Sequence, residues 1–259
     1  MPETISTFPA AFSLSGEIAM VTGGGTGLGY AMSSAFLAAG AKVVITGRRA
    51  EVLDRAVATL GPGAFAYSQD LTAHAAIDPL VERIGNEVGH PTILVNNAGI
   101  HLKKSLIETT TEEFQRVLCT HVEGAFALTR AVVPGMRRQG RGSILFIASM
   151  TSLIGMPNVV AYSAAKSAVS GMVRSLAAEL GPEGIRVNAI APGWIETPML
   201  HKALDGDETR IAKILSRTPQ GRFGQPVDIG WAAVYLSSPA ASFVNGVMLP
   251  VDGGASIGF

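Results

Sequence analysis

From Ile18 to Val251 the chain alternates short apolar runs with longer stretches of helical character, and no linker, charge block or internal repeat interrupts the alternation. Residues 18–22, 42–46, 64–68, 92–95, 143–148, 185–190 and 247–251 read as strands. Between them, residues 28–39, 50–60, 75–88, 111–137, 161–180 and 227–236 read as helices. Strands rich in Val and Ile, without a polar face, are buried on both sides, and helical connections of this length cross over between parallel strands. The pattern therefore predicts one doubly wound α/β domain over residues 1–259, with a parallel sheet and helices on both faces. Residues 198–224 are the exception: polar, mixed and unlike a strand, they are a candidate lid over a substrate.

Composition excludes several functions. The chain is 47% hydrophobic, enough for a sizeable core. It carries 20 basic and 20 acidic residues, so no excess of charge calls for nucleic acid or an anionic membrane. The single cysteine, Cys119, excludes an intrachain disulfide and fits a reducing compartment. Residues 1–16 do not have the pattern of a signal peptide. The most apolar long stretch, residues 154–173, is interrupted by Asn158, Lys166 and serines and does not make a membrane span. A soluble, cytoplasmic protein is expected.

In a doubly wound sheet, ligands bind beyond the carboxyl ends of the strands, and the motifs of this chain fall at such ends. After the first strand, residues 23–29 hold five glycines in seven positions, more than a turn needs. The spacing Gly23, Gly27, Gly29 is not G-x-G-x-x-G, but the physics is shared. Backbone amides freed of side chains approach a pyrophosphate at a helix N-terminus. At the end of the second strand an acid would bond the ribose hydroxyls of NAD, and an arginine would pair with the phosphate of NADP. The chain has Gly47-Arg48-Arg49 there, which favours NADP. Asp70 follows the third strand, placed either to accept from an adenine amine or to cap the turn at Leu71-Thr72. Asn96-Asn97-Ala98-Gly99 follows the fourth strand and allows close backbone approach.

Tyr162 and Lys166 stand four apart at the start of a helix, on one face and with small residues between them. An ammonium beside a phenol favours the phenolate and lowers its pKa, which suits a tyrosine to acid/base work. Ser149, ending the fifth strand, is placed to reach the same oxygen. The three residues suit carbonyl/alcohol interconversion.

These motifs, in this order, resemble the short-chain dehydrogenase/reductase family over nearly the whole length, from Leu14 to Gly254. Matching features are T-G-x-x-x-G-x-G at Thr22 to Gly29, N-N-A-G at Asn96 to Gly99, Y-x-x-x-K at Tyr162 to Lys166, and Pro192-Gly193 after the sixth strand. The resemblance implies a Rossmann domain that passes hydride between a nicotinamide and a substrate carbon without a metal. It implies Tyr162 as general acid/base, Lys166 as ribose ligand and pKa modifier, and Ser149 as the group that polarises the substrate oxygen. Cofactor contacts are expected from Gly23, Gly25, Thr26, Gly27, Leu28, Gly29, Arg48, Arg49, Asp70, Leu71, Asn97, Ala98, Gly99, Tyr162, Lys166, Pro192, Gly193, Ile195 and Thr197. NADP is expected over NAD. Family members are commonly tetramers, and the low charge content of 15% and two long, weakly charged helices suit a homotetramer.

His121 stands where the family usually has an asparagine that holds a water linking the lysine to solvent. A neutral histidine both donates and accepts, so His121 is counted with the catalytic group, either holding that water or as a tolerated polar substitution. His101 is placed to face substrate or to lie on a loop. His74, His90 and His201 read as surface or lid residues, and no metal site is expected. Ser149, Tyr162, Met150, Met156 and Trp194, with Ile154, Met199 and Leu200, are expected around the substrate. The chain is similar to sugar-acid and polyol dehydrogenases such as the gluconate 5-dehydrogenases. The runner-up is a 3-oxoacyl-carrier-protein reductase, for which Arg137, Arg138 and Arg141 would receive an acidic carrier, although Ala178 replaces an arginine of that group. A third reading, from another class, is a non-catalytic dinucleotide-binding protein.

Overall fold

The computed structural model describes residues 8–258, apart from the side chains of Phe8, Met199, Lys202 and Ala203. Residues 1–7, on which part of the signal-peptide reading rests, lie outside the described residues. After a short helix α1 (Phe8–Ala11), the chain forms β1 (Ile18–Thr22), α2 (Gly27–Ala38), β2 (Lys42–Gly47), α3 (Ala50–Leu60) and β3 (Ala64–Ser68). Then follow α4 (Ile77–Glu87), β4 (Ile93–Asn96), α5 (Thr111–Leu118), α6 (Gly124–Gln139), β5 (Gly142–Ile147) and α7 (Val160–Leu180). The last part holds β6 (Ile185–Pro192), α8 (Pro198–Leu204), α9 (Glu208–Ser216), α10 (Pro226–Ser237) and β7 (Met248–Val251).

All seven strands are parallel, in the order β3-β2-β1-β4-β5-β6-β7. The strand period of two divides the core. Ala19, Val21, Val43 and Ile45 pack under α2, α3 and α10, with Met32, Phe36 and Ile229. Met20, Val44, Leu94 and Phe146 point the other way, under α4, α6 and α7, with Leu80, Leu128 and Val169. This is the doubly wound arrangement that the unbroken apolar runs predict. The chain reverses direction across the sheet between β1 and β4, and there the carboxyl ends open a crevice.

The long helix expected from residue 111 departs from a plain α-helix. Thr110 caps it: its hydroxyl accepts from the Glu113 amide, and the Glu113 carboxylate accepts from the Thr110 amide. Between α5 and α6 lies a wide π-type turn at Cys119–Glu123, which contains His121. Such turns insert one extra residue and re-aim side chains, commonly at working sites. Residues 198–224 hold α8 and α9, joined by a small core of Leu200, Leu204 and Ile214 with Trp194, Ile211 and Phe223. Among the described residues, no helix is long and apolar enough to cross a membrane.

Candidate active site

The carboxyl ends of the strands open into a cavity of about 1310 Å³. A site for one ligand is roughly 300–1,000 Å³, so there is room for two. Every residue expected to contact the cofactor lines it, with one exception, Gly29. That residue is buried one layer behind. A Cβ there would lie 2.2 Å from the Gly23 carbonyl oxygen and 2.7 Å from Asn97 Nδ2. Gly29 therefore shapes the turn, while its neighbours form the cavity wall. Gly23 needs its freedom for a second reason, a φ of +65°.

The Asn97 side chain braces the turn from behind. It donates to the carbonyls of Thr22 (2.8 Å) and Gly23 (3.4 Å). Thr22 returns the bond: its hydroxyl accepts from the amides of Asn97 and Ala98, both at 2.9 Å. β1 and β4 are thus stitched together at the switch point, a role that only the strand order reveals. Arg48 and Arg49 line the cavity at the end of β2, with Asp70 within electrostatic reach of Arg48. Asp70 lines it too, but one of its oxygens accepts from both the amide and the hydroxyl of Thr72, at 2.9 and 2.8 Å. Those bonds hold its carboxyl below the usual range. Thr197 caps α8, accepting from the Leu200 amide at 3.2 Å.

At the other end of the cavity Ser149, Tyr162 and Lys166 converge. Ser149 is buried after β5, and its hydroxyl accepts from the Thr151 amide at 3.1 Å. The Ser149 hydroxyl lies near enough to the Tyr162 phenol to favour its ionised form. Lys166 is 4% exposed, and its ammonium donates to the Ile147 carbonyl at 2.6 Å, with Nζ 5.6 Å from the centre of the Tyr162 ring. The directions of the pKa shifts differ from the expectation that the lysine would lower the tyrosine. Burial pushes the Tyr162 phenol up, and the nearby Ser149 hydroxyl offsets only part of the rise. Burial pushes Lys166 down, to about 7. Desolvation of the charged forms outweighs their mutual attraction here.

Tyr162 is flanked by two imidazoles. His121 meets its ring edge-on at 5.5 Å and 87°, and His101 lies 5.2 Å away. Of the two positions open to His101, the structure has the one on the cavity wall. His121 is buried, with Nε2 2.7 Å from the carbonyl oxygen and 3.0 Å from the amide nitrogen of Ile100. Protonated on Nε2 it donates to the carbonyl; protonated on Nδ1 it accepts from the amide. Burial, with the Lys166 charge nearby, holds its pKa down at about 3. Gly99 leaves room for the ring, since a Cβ there would lie 2.1 Å from it.

A second cavity of about 10 Å³ sits behind, between His121, Lys166 and Asn96. His121 Nδ1 and Asn96 Oδ1 are both buried there without a protein partner. That volume and those polar atoms suit one water.

Met150, Ile154, Met156, Trp194 and Leu200 line the main cavity as expected; the side chain of Met199 lies outside the described residues. Sequence reasoning missed Lys103, Arg210, Lys213 and Arg217, which also line it. The spacing of the last three inside residues 198–224 was the available signal. The arginines that a carrier reading needs lie elsewhere. Arg137 is paired with Glu183, Arg141 with Glu17 at 2.8 Å, and Arg138 sits 3.5 Å from His90. They precede β5, at the amino edge of the sheet, opposite the cavity. Away from the cavity, His74, Cys119 and Glu123 bring one ligand atom each within 4.8 Å of one another, a grouping the linear spacing did not suggest.

A family model described as enoyl-(acyl carrier protein) reductase matches residues 23–256. An NADP-dependent (R)-specific alcohol dehydrogenase of Lentilactobacillus kefiri is 39% identical over 246 residues, covering 93% of this chain and 97% of that protein. This chain belongs to the short-chain dehydrogenase/reductase family. It is an NAD(P)-dependent oxidoreductase acting on CH–OH groups, in keeping with the dehydrogenases it matches. Gluconate 5-dehydrogenase of Gluconobacter oxydans (strain 621H) is 38% identical over 252 residues, 96% of this chain and 98% of that one. Among solved structures of the family, a gluconate 5-dehydrogenase of Burkholderia cenocepacia J2315, in complex with NADP and tartrate, superposes with a TM-score of 0.92 at 33% identity. The match covers 97% of this chain and 99% of that one. A 3-ketoacyl-(acyl-carrier-protein) reductase of Brucella melitensis, complexed with NADH, gives 0.89 at 37% identity over 95% and 100%.

Proposed function

We propose that this reductase uses NADP to interconvert a secondary alcohol and a ketone on a sugar-acid or polyol-like substrate. The observation that carries the reading is the convergence of Ser149, Tyr162 and Lys166 at one end of a cavity whose other end is the glycine turn. The turn, braced by Asn97, fits a pyrophosphate, and Arg48 with Arg49 fits the 2′-phosphate. When bound, the dinucleotide supplies the site for hydride transfer. Lys166 holds the ribose beside the nicotinamide, and Thr197 and Ile195 hold the carboxamide end. Ser149 and Tyr162 grip the substrate oxygen between them. Tyr162, protonated at neutral pH, gives its proton to that oxygen as the ketone is reduced and takes it back in the reverse direction. His121 is a positioning residue: it fixes the Ile100 loop and the edge of the Tyr162 ring. A water in the small cavity links it to Lys166.

Residues 198–224 act as the lid over the substrate, and the lone cysteine fits a cytoplasmic enzyme. The names of the Gluconobacter and Burkholderia relatives favour the sugar-acid reading. The carrier-protein alternative loses support because its arginines are paired on the opposite edge of the sheet. The non-catalytic alternative must explain three intact catalytic residues. Binding titrations with NADPH and NADH, beside a turnover panel of alcohols and ketones, test the proposal. NADPH should bind more tightly, and Gly47→Asp with Arg48→Val should reverse the order. Tighter NADH binding by the wild type would overturn the cofactor assignment, and absence of turnover across the panel would overturn the reaction.

A further inference from the structure

The face of α9 turned to the cavity is cationic. Arg210, Lys213 and Arg217 stand at i, i+3 and i+7, a spacing that shares one side of a helix, and all three line the cavity. The acid at the start of the helix, Asp207, is used as its cap, accepting from the Arg210 amide at 2.9 Å. Lys103, on the loop after β4, lines the same cavity from another wall. Its neighbour Lys104 is paired with Glu113 at 2.7 Å, but among the described residues no ion pair engages Lys103, Lys213 or Arg217. The charges of Lys103 and Arg210 both reach His101, which lies beside the Tyr162 ring. A chain of zero net charge thus sets four cations on this part of the cavity wall, two of them, Lys103 and Arg210, within electrostatic reach of the substrate end at His101. Such a field draws anions in and holds them.

We propose that the substrate is a small hydroxy or oxo acid whose carboxylate is held between Lys103 and Arg210, with Lys213 and Arg217 drawing it in from the mouth. The proposal rests on the alcohol/ketone reading above and narrows its substrate class from polyol or acid to acid. The reacting carbon meets Ser149 and Tyr162, and the chain runs past His101 to the cations. A guanidinium suits this task because its planar fork matches a carboxylate, and the charge-assisted bond is stronger than any a hydroxyl would make.

Gluconate and sorbitol test it, since they share a six-carbon polyhydroxy chain and differ at one end, carboxylate against hydroxymethyl. Binding of each to the NADP-loaded enzyme is measured by calorimetry, together with initial rates, for the wild type, Lys103→Met, Arg210→Met and the double variant. The wild type should bind gluconate at least about tenfold more tightly than sorbitol. The double variant should lose that advantage, with sorbitol and NADP binding unchanged, and added salt should weaken gluconate alone. Equal losses for gluconate and sorbitol, or unaltered gluconate binding in the double variant, would overturn the proposal. So would rapid turnover of a 3-oxoacyl group on an acidic carrier protein with no gluconate binding. Gluconate binding that depends on the two cations, without turnover of either compound, would support the subsite while counting against the alcohol/ketone reading.

Discussion

Burial of Tyr162 and Lys166 in one low-dielectric pocket moves their pKa values apart, the phenol up and the ammonium down to about 7. The pair therefore stays mostly protonated on the phenol, which suits proton delivery to a ketone oxygen. The i, i+4 spacing made this pair legible in the sequence. The direction of the shifts was not, because desolvation depends on how the helix packs against β5. His121 was legible as a departure from a family position, yet its partner, the Ile100 backbone, could be found only in the folded chain. Its depressed pKa has a consequence for stability. Between pH 6.5 and about 3 the unfolded chain binds a proton on His121 that the folded chain refuses. Stability from this residue is thus complete above pH 6.5 and falls as pH drops toward 3. At pH 5 the loss is on the order of 2 kcal/mol. His121→Asn removes the term, so the fall in Tm from pH 7.5 to pH 5 should be several degrees smaller in the variant. Identical falls would mean that the imidazole is protonated in the folded enzyme.

The element proposed to govern cofactor binding is the turn between β1 and α2. Its glycines were evident in the sequence, and their division of labour was not. Gly23, Gly25 and Gly27 line the cavity, whereas Gly29 backs onto the Gly23 carbonyl. Gly29→Ala should force the turn to move, weakening NADPH at least about tenfold and costing about 1–3 kcal/mol of stability. NADPH affinity equal to the parent's would show that the turn does not grip the pyrophosphate. The strands were legible to within a residue or two because buried runs of Val and Ile admit little else. α8 and α9 were not. They are short, their polar residues mask the periodicity, and they are held by a satellite core that includes Trp194 and Phe223, contributed from outside the two helices. For the same reason the cationic face of α9 went unread until the fold turned it toward the cavity.

At the scale of the molecule, the apolar groups that stay exposed need explaining. Phe126 on α6 and Val160 on α7 stay exposed on one side of the sheet, at 51% and 41%, and Trp231 with Val227 on α10 on the other. One exposed apolar surface on each side, each pairing with its own copy about a two-fold axis, is what the expected homotetramer requires. Light scattering at micromolar concentration should give four times the 26.8 kDa chain mass. Phe126→Glu or Trp231→Glu should halve that mass, and a monomeric wild type would refute the assembly. The architecture of sheet, crevice and catalytic residues leads to one chemical claim, that hydride passes between NADP and a carbinol carbon under the control of Tyr162. Transfer of label tests this most directly: the enzyme is given NADPH deuterated at C4 with an oxo acid such as 5-ketogluconate, and the alcohol product is weighed by mass spectrometry. The wild type should deliver one deuterium to carbon, and Tyr162→Phe, binding NADPH with nearly unchanged affinity, should deliver almost none. An unlabelled product from the wild type, or a variant within tenfold of the parent rate, would contradict the claim.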